Sequence, residues 1–205
     1  GFSALVVTNA LKPLGNGRDR LLALKEAHAD KLVIRLSIDH YAQAPHEKER
    51  GPRSWETAIE GLTWLNENGF ALNIAGRTFG DETEDELRAG YAGMFDRLGL
   101  TIDPQNPVDL VLFPEMDELA DVPEITTDCR GILNVSPGAM MWATSRMVIK
   151  RRGATKPVVV PCTLLPYDDR FEMGETLAKA AADVRLNHPH CANFCVLGGG
   201  ACSVG

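Results

Sequence analysis

Apolar runs alternate with helix-like segments through the first half of the chain, and this rhythm limits the possible folds more than any other feature. The apolar runs are typical of strands buried on both faces, and helical spacing fills the stretches between them. We predict strands at residues 4–8, 32–38, 70–76 and 108–113, and helices at 18–29, 55–68 and 84–98. The order β-α-β-α-β-α-β predicts an α/β fold with parallel strands. A partial or complete barrel and an open doubly wound sheet both satisfy this order.

Local signals mark the ends of two of these helices. Ser54 is predicted as the N-cap of the helix over 55–68, and Gly69 lies where a helix-terminating glycine belongs. Thr83 and Glu86 have the spacing of a capping box and predict the start of the next helix.

The pattern changes near residue 120, where we place a boundary between domains at 1–120 and 121–205. Beyond it the α/β alternation stops and short β runs follow, two of which flank a Lys-Arg-Arg-Gly turn and predict a hairpin. The expected β runs are 132–135, 147–150 and 158–160, followed by one helix over 173–184.

Polar residues lie at the carboxyl ends of the predicted strands, where parallel α/β folds bind ligands. Arg77 suits a carboxylate or a phosphate because its guanidinium is a planar fork, although an ion pair with Asp81 or Glu82 is an equally open interpretation. Asp39 has the alternative of capping the polar loop predicted for residues 39–53. The candidate ligand-binding residues are Thr8, Asn9, Ser37, Asp39 and Arg77.

All cysteines lie in the second part of the chain, at Cys129, Cys162, Cys191, Cys195 and Cys202. The last three have the spacing Cys-x3-Cys-x6-Cys and include three glycines before the final cysteine, which lets the chain wrap closely around a metal. Their odd number disfavours a disulfide framework. An iron–sulfur cluster and a zinc ion both remain open, since thiolates suit both and two histidines lie next to Cys191.

The overall charge and the hydropathy pattern exclude some classes of protein. A formal net charge of −7 argues against a nucleic-acid partner, which requires a basic surface. No apolar run is long enough for a membrane helix and no secretory leader is recognisable, so we expect a soluble, cytoplasmic protein without a membrane partner. Because an apolar run begins almost at Gly1, we also expect the chain to be a fragment.

The strand ends in this order resemble the radical S-adenosylmethionine (SAM) family. Ala-Leu-Val-Val-Thr-Asn at 4–9 resembles the third barrel strand of that family, with Ala10 in place of its usual glycine. Val-Ile-Arg-Leu-Ser-Ile-Asp at 33–39 resembles the fourth strand, which ends in Ser-x-Asp, and 72–77 continues the register. The resemblance implies a partial (β/α) barrel in which the candidate strand-end residues contact SAM.

The second part resembles the SPASM/twitch module of the same family, which holds an auxiliary [4Fe-4S] cluster. Cys129 precedes a Ser-Pro-Gly turn at 136–138, Cys162 follows after a long insertion, and a Met-Gly-Glu-Thr-Leu segment at 173–177 leads to the terminal cysteines. The resemblance implies that four of the five cysteines bind the cluster, without indicating which four.

One motif of the family is missing from this sequence. The Cys-x3-Cys-x2-Cys loop that holds the SAM-cleaving [4Fe-4S] cluster is absent, so the resemblance places it upstream and implies that this piece alone cannot start the chemistry. The full-length enzyme would take an electron from a donor, cleave SAM to methionine and a 5′-deoxyadenosyl radical, and abstract hydrogen from a peptide or small-molecule substrate. The alternatives are a non-catalytic zinc- or iron–sulfur-binding α/β module that acts through partner contacts, and an α/β metabolic enzyme without radical chemistry.

Overall fold

The computed structural model describes residues 3–10, 12–28, 31–117, 119, 121–126, 128–132 and 136–197. The chain divides into two compact units, Gly1–Glu115 and Met116–Gly205, and the sequence analysis placed this boundary near residue 120.

The first unit is a mixed α/β fold built on a four-stranded parallel sheet in the order β1-β2-β3-β4. The predicted parallel strands are confirmed, with ends within two residues of the prediction. The strands are β1 (Ala4–Thr8), β2 (Leu32–Ser37), β3 (Ala71–Thr78) and β4 (Leu110–Pro114). The helices are α1 (Lys12–His28), α2 (Gln43–Arg50), α3 (Ser54–Glu67) and α4 (Glu84–Leu98).

Alternate residues of the strands form the core of this unit together with helices α3 and α4. Ile34, Ile74 and Leu110 are fully buried, as are Leu62 of α3 and Leu87 of α4, and all belong to one hydrophobic cluster. Burying a side chain of this size stabilises the fold by about 1.5–3 kcal/mol. The polar ends of the strands are therefore held on a well-packed sheet.

Helix α2 corrects the prediction of a loop over residues 39–53. Pro45 was interpreted as a loop signal, but it lies in the first turn of the helix, where its missing N–H is not needed. Gly51 ends the helix with a φ of 89°, a conformation that glycine adopts without strain. The same short segment therefore contains both a helix and its stop signal.

The expected caps have mixed outcomes. The capping box of Thr83 and Glu86 is confirmed at the start of α4. Ser54 is not an N-cap, because Arg53 occupies that position with a φ of 64° and the Ser54 hydroxyl donates to the carbonyl of Gly51. Helix α1 begins at Lys12, earlier than the predicted residue 18, because the intervening glycines are accommodated inside the helix.

The second unit contains mostly short elements. The predicted hairpin is confirmed: β5 (Met147–Ile149) and β6 (Val158–Val160) pair antiparallel. Two helical turns, α5 (Cys129–Ile132) and α6 (Met141–Thr144), precede it, and a π-helix spans Cys191–Leu197. The β run expected at 132–135 is not found at Ile132, which ends α5, and residues 133–135 lie outside the described residues.

The helix predicted over 173–184 is wrong, because the backbone at its start forms hydrogen bonds with strand β6 instead of along a helix. Met173 donates to the carbonyl of Val159, and Val159 donates to the carbonyl of Gly174, each at 2.8 Å. Further along, the guanidinium of Arg146 binds the carbonyls of Ala180 and Ala182. In a helix over 173–184, the carbonyls of Gly174 and Ala180 would instead accept hydrogen bonds from the amides four residues further along the chain.

Candidate functional site

The structure brings most of the predicted strand-end residues to one edge of the parallel sheet. Ser37 ends β2, and sheet pairing continues beyond it, where the amide of Arg77 donates to the carbonyl of Asp39 at 3.0 Å. Thr8 ends β1 and pairs in register with Leu36. Neighbouring strands therefore carry Thr8, Ser37, Asp39 and Arg77 to the same carboxyl edge.

Thr8 and Asn9 differ in how their polar groups are arranged. The Thr8 hydroxyl accepts a hydrogen bond from the amide of Ala10 at 3.1 Å and so stabilises the turn after β1, where Ala10 has a φ of 57°. Asn9 follows the strand directly and is exposed. The Thr8 hydroxyl is therefore already engaged in a hydrogen bond with the backbone of its own turn.

Asp39 is held on both its side chain and its backbone by helix α2. Its carboxylate accepts two hydrogen bonds from Arg50, and its amide donates to Nδ1 of His46 at 3.2 Å. Only 6% of the Asp39 side chain is exposed. This carboxylate therefore has a fixed position at the end of β2.

His46 is a buried polar residue that the sequence analysis missed. Burial lowers its pKa, and Nδ1 acts as an acceptor, so the neutral ring carries its proton on Nε2. Within the described part of the chain this Nε2 has no hydrogen-bond partner, and the ring packs edge-on against Trp55 at 5.4 Å between centroids. The neutral His46 ring therefore helps to hold the end of β2 by accepting a hydrogen bond from the amide of Asp39.

Arg77 forms an ion pair, but with neither of the partners that the sequence suggested. Its Nη1 donates to the carboxylate of Glu49 at 2.6 Å, and its guanidinium lies 5.7 Å from the centroid of the Phe79 ring. Asp81 and Glu82 were the expected partners because they are close in sequence. Glu49 lies on helix α2, whose existence the sequence analysis did not predict.

A second polar cluster joins the loop after β2 to the loop before α4. Glu82 accepts hydrogen bonds from His40 Nε2 at 2.7 Å and from the Tyr41 hydroxyl at 2.5 Å. These bonds, that from Tyr41 first, lower the pKa of Glu82, while the bond with Glu82 raises the pKa of Tyr41. The sequence signal for this cluster is the pair of His40 and Tyr41 shortly after β2.

Two of the predicted metal-binding cysteines are buried neighbours in the second unit. Burial and, next, the proximity of Cys162 raise the pKa of Cys191 to about 12. Burial also raises the pKa of Cys162, and this is partly offset by backbone amides of Leu164 and Leu165 that interact with its sulfur. Both groups are therefore protonated thiols at neutral pH, and losing their protons would require a cation close to the sulfurs.

Two histidines lie close to Cys191 in the chain. The rings of His188 and His190 lie 4.5 Å apart, and the amide of His190 donates to Nδ1 of His188. His190 Nδ1 lies 3.3 Å from the carbonyl of Leu164, whereas its buried Nε2 has no hydrogen-bond partner among the described residues. An imidazole nitrogen in this state is available to a metal.

Within the described part of the chain, Cys195 and Cys129 do not complete a metal-binding group with these residues. Cys195 is buried on the π-helix, and Cys129 is partly buried on α5, where its sulfur lies 3.7 Å from the Thr126 hydroxyl. Cys202 lies outside the described residues. Across the described part of the chain, no group of three or more Cys, His, Asp or Glu side chains is arranged to hold a metal, and none of the four described cysteines is in a disulfide.

An open pocket of about 230 Å³ lies elsewhere in the second unit. Its lining includes Arg170, Phe171, Lys179 and Arg185, and none of the predicted site residues. Arg170 already donates to the carboxylate of Asp168, lowering the pKa of that carboxyl to about 2.

Comparison with known proteins adds no family to these observations. No family model matches the chain, and neither curated proteins nor solved structures gave a significant match. Among the helices of the described residues, none combines the length and the apolar character needed to cross a membrane.

Proposed function

We propose that the chain is part of a radical SAM enzyme. In this proposal the first unit supplies part of a parallel (β/α) barrel that binds SAM at its carboxyl edge, and the second unit binds an auxiliary [4Fe-4S] cluster. The observation that carries the proposal is the burial of Cys162 and Cys191 on two chain segments that are in contact, since His190 Nδ1 lies 3.3 Å from the carbonyl of Leu164.

Burial alone would leave the two cysteines as inert, protonated thiols, so the support for a cluster comes from the hydrogen-bond donors around Cys162. Without a metal both thiols stay protonated at neutral pH, since burial raises both pKa values. A bound cluster would replace the two protons, and the amides of Leu164 and Leu165 already point hydrogen-bond donors at the Cys162 sulfur. Cys129, Cys195 and Cys202 are proposed as the source of the remaining ligands.

The strand ends support the SAM-binding part of the proposal. Arg50 holds the Asp39 carboxylate in place at this edge, and Arg77 presents a guanidinium suited to a carboxylate. Thr8, Asn9 and Ser37 add neutral polar groups at the same edge. In the proposed enzyme these residues bind and orient SAM so that its reactive end faces the substrate.

Bound cluster and SAM would supply the electron transfer and the hydrogen abstraction, and the chain would supply binding, orientation and the exclusion of water. The proposed partners are an electron donor and a peptide or small-molecule substrate. A nucleic-acid substrate is disfavoured by the net charge of −7.

The test is SAM cleavage by the full-length gene product, purified without oxygen and reduced with dithionite. We expect 5′-deoxyadenosine to form, and we expect Arg77→Ala to raise the SAM concentration needed for half-maximal rate. Arg97→Ala is the matched control, because Arg97 is an exposed arginine in the last turn of α4. The absence of 5′-deoxyadenosine from reduced, metal-loaded wild type would contradict the proposal.

A second candidate is a zinc-binding module that acts through partner contacts. It is favoured by one observation, the buried Nε2 of His190, which has no hydrogen-bond partner among the residues that the structure describes and lies close in the chain to Cys191. Mixed thiolate and imidazole ligands are typical of structural zinc. Metal analysis distinguishes the two candidates.

A further inference from the structure

Consecutive residues of helix α2 bind the two charged residues at the proposed SAM site. Arg50 binds Asp39, and Glu49 binds Arg77. Both contacts join α2 to the carboxyl edge of the sheet. The two ion pairs nevertheless differ in geometry and in exposure.

The pair of Arg50 and Asp39 is closed. Two parallel hydrogen bonds connect them, and only 6% of the Asp39 side chain is exposed. A bidentate pair with a buried carboxylate resists exchange, because a separated Asp39 would keep its charge away from water. Arg50 therefore acts as a positioning residue for Asp39.

The pair of Glu49 and Arg77 is open to solvent. One hydrogen bond of 2.6 Å joins Arg77 Nη1 to Glu49 Oε2, and the two side chains are 31% and 30% exposed. Pairs of this exposure contribute about 0–1 kcal/mol, because water and salt compete with them. A ligand carboxylate can therefore replace Glu49 at little cost.

We propose that Glu49 is a built-in competitor for the carboxylate of the ligand at Arg77. This inference rests on the proposed function, in which the ligand is SAM and its amino-acid end carries that carboxylate. In the ligand-free protein Glu49 neutralises the guanidinium and holds its side chain at the sheet edge. When SAM binds, its carboxylate takes the place of Glu49. The ion pair of Glu49 and Arg77 is lost in this exchange, so SAM binds more weakly than it would without Glu49.

Removing the competitor should strengthen binding, whereas removing an ordinary site residue weakens it. Glu49→Gln is expected to tighten SAM binding about two- to fivefold, the range that loss of a solvent-exposed ion pair allows. The control ligand is 5′-methylthioadenosine, which has the adenosine and sulfur of SAM but no carboxylate. Its affinity should not change in Glu49→Gln.

The matched control variant is Glu47→Gln. Glu47 lies on the same helix and its carboxylate accepts a hydrogen bond from Gln43, not from Arg77. This change removes the same charge two residues away, so it reproduces any general electrostatic effect on the positively charged ligand. Glu47→Gln should therefore lack the tightening of SAM binding that is expected of Glu49→Gln.

Calorimetric titration of the full-length protein with SAM and with 5′-methylthioadenosine tests the inference. SAM binding that is equal or weaker in Glu49→Gln than in Glu47→Gln would overturn it. Equal tightening for both ligands would also overturn it, since the effect would not depend on the carboxylate. If wild type binds neither ligand, the proposed function fails and the inference fails with it. Binding that is lost in Arg77→Ala but insensitive to Glu49→Gln rejects the inference alone.

Discussion

The guanidinium of Arg50 donates two hydrogen bonds to the carboxylate of Asp39, at 2.8 Å from Nε and 2.7 Å from Nη2. These two bonds connect helix α2 to the carboxyl end of β2. The contact is local to the first unit, and it fixes a strand-end carboxylate that is almost fully buried.

Arg50→Met should destabilise the first unit by about 2 kcal/mol, because it leaves the buried Asp39 carboxylate without its charged partner. Lys48→Met on the same helix is the control, since Lys48 is an exposed cation. Urea unfolding of both variants measures the change in the free energy of unfolding. An equal effect of the two substitutions would show that Arg50 contributes only its general charge.

Two glycines of helix α4 should respond oppositely to alanine. A Cβ at Gly90 would lie 2.3 Å from the ring of Tyr41, and this ring is held in place by Glu82. At Gly93 the nearest atom is 3.5 Å away, on the flexible side chain of Arg97. Gly90→Ala should cost about 1–3 kcal/mol through overpacking, whereas Gly93→Ala should stabilise by about 0.5–1 kcal/mol through helix propensity.

Thermal or urea unfolding of the two glycine variants checks this difference. The matched background is Tyr41→Ala, in which Gly90→Ala no longer meets a ring and should become neutral or stabilising. If Gly90→Ala costs the same in both backgrounds, Tyr41 does not lie against the helix at that position.

Glu82 should make the stability of the first unit depend on pH in the acid range. Hydrogen bonds from Tyr41 and His40 lower the pKa of its carboxyl from an ordinary value of 4.5. A group with a lowered pKa in the folded state stabilises the fold above its unfolded pKa, and this contribution is lost as pH falls through the folded value. Stability should therefore decrease from about pH 5 downwards.

Glu82→Gln should reduce that acid-range loss of stability, which urea unfolding at several pH values between about 6 and 3 would measure. Glu67→Gln, at the exposed end of α3, removes an equal charge and should keep the pH dependence of the wild type. Identical pH profiles for Glu82→Gln and the wild type would contradict the assigned role of the carboxylate.

Features set by neighbouring residues could be predicted from the sequence. The capping box at Thr83 and Glu86 is formed within one helical turn, and the hairpin of β5 and β6 is formed around one turn. The parallel strands are marked by continuous apolar runs, which few other structures accommodate. Each of these signals is complete within a short stretch of chain.

Features set by distant residues could not be predicted in this way. The helix expected over 173–184 is absent, and this segment instead bonds to residues far away in sequence, to Val159 through Met173 and Gly174 and to Arg146 through Ala180 and Ala182. The sequence offered an ion pair of Arg77 with Asp81 or Glu82 only as an alternative, and it did not indicate Glu49, which lies on a helix whose first turn contains Pro45. Sequence spacing identified the cysteines, but their burial and the proximity of Cys162 to Cys191 became visible only in the fold.

The most direct test of the proposed function is the metal content of the protein purified without oxygen. Iron, acid-labile sulfide and zinc would be measured for wild type, Cys162→Ala and Cys191→Ala, with Thr163→Ala as the neighbouring control. For the full-length protein, we expect the auxiliary cluster to contribute about four irons and a matching amount of sulfide, in addition to those of any other cluster. Both cysteine variants should lose this set, and Thr163→Ala should keep it. One zinc per chain without iron, or an iron content unchanged by both cysteine substitutions, would contradict the account.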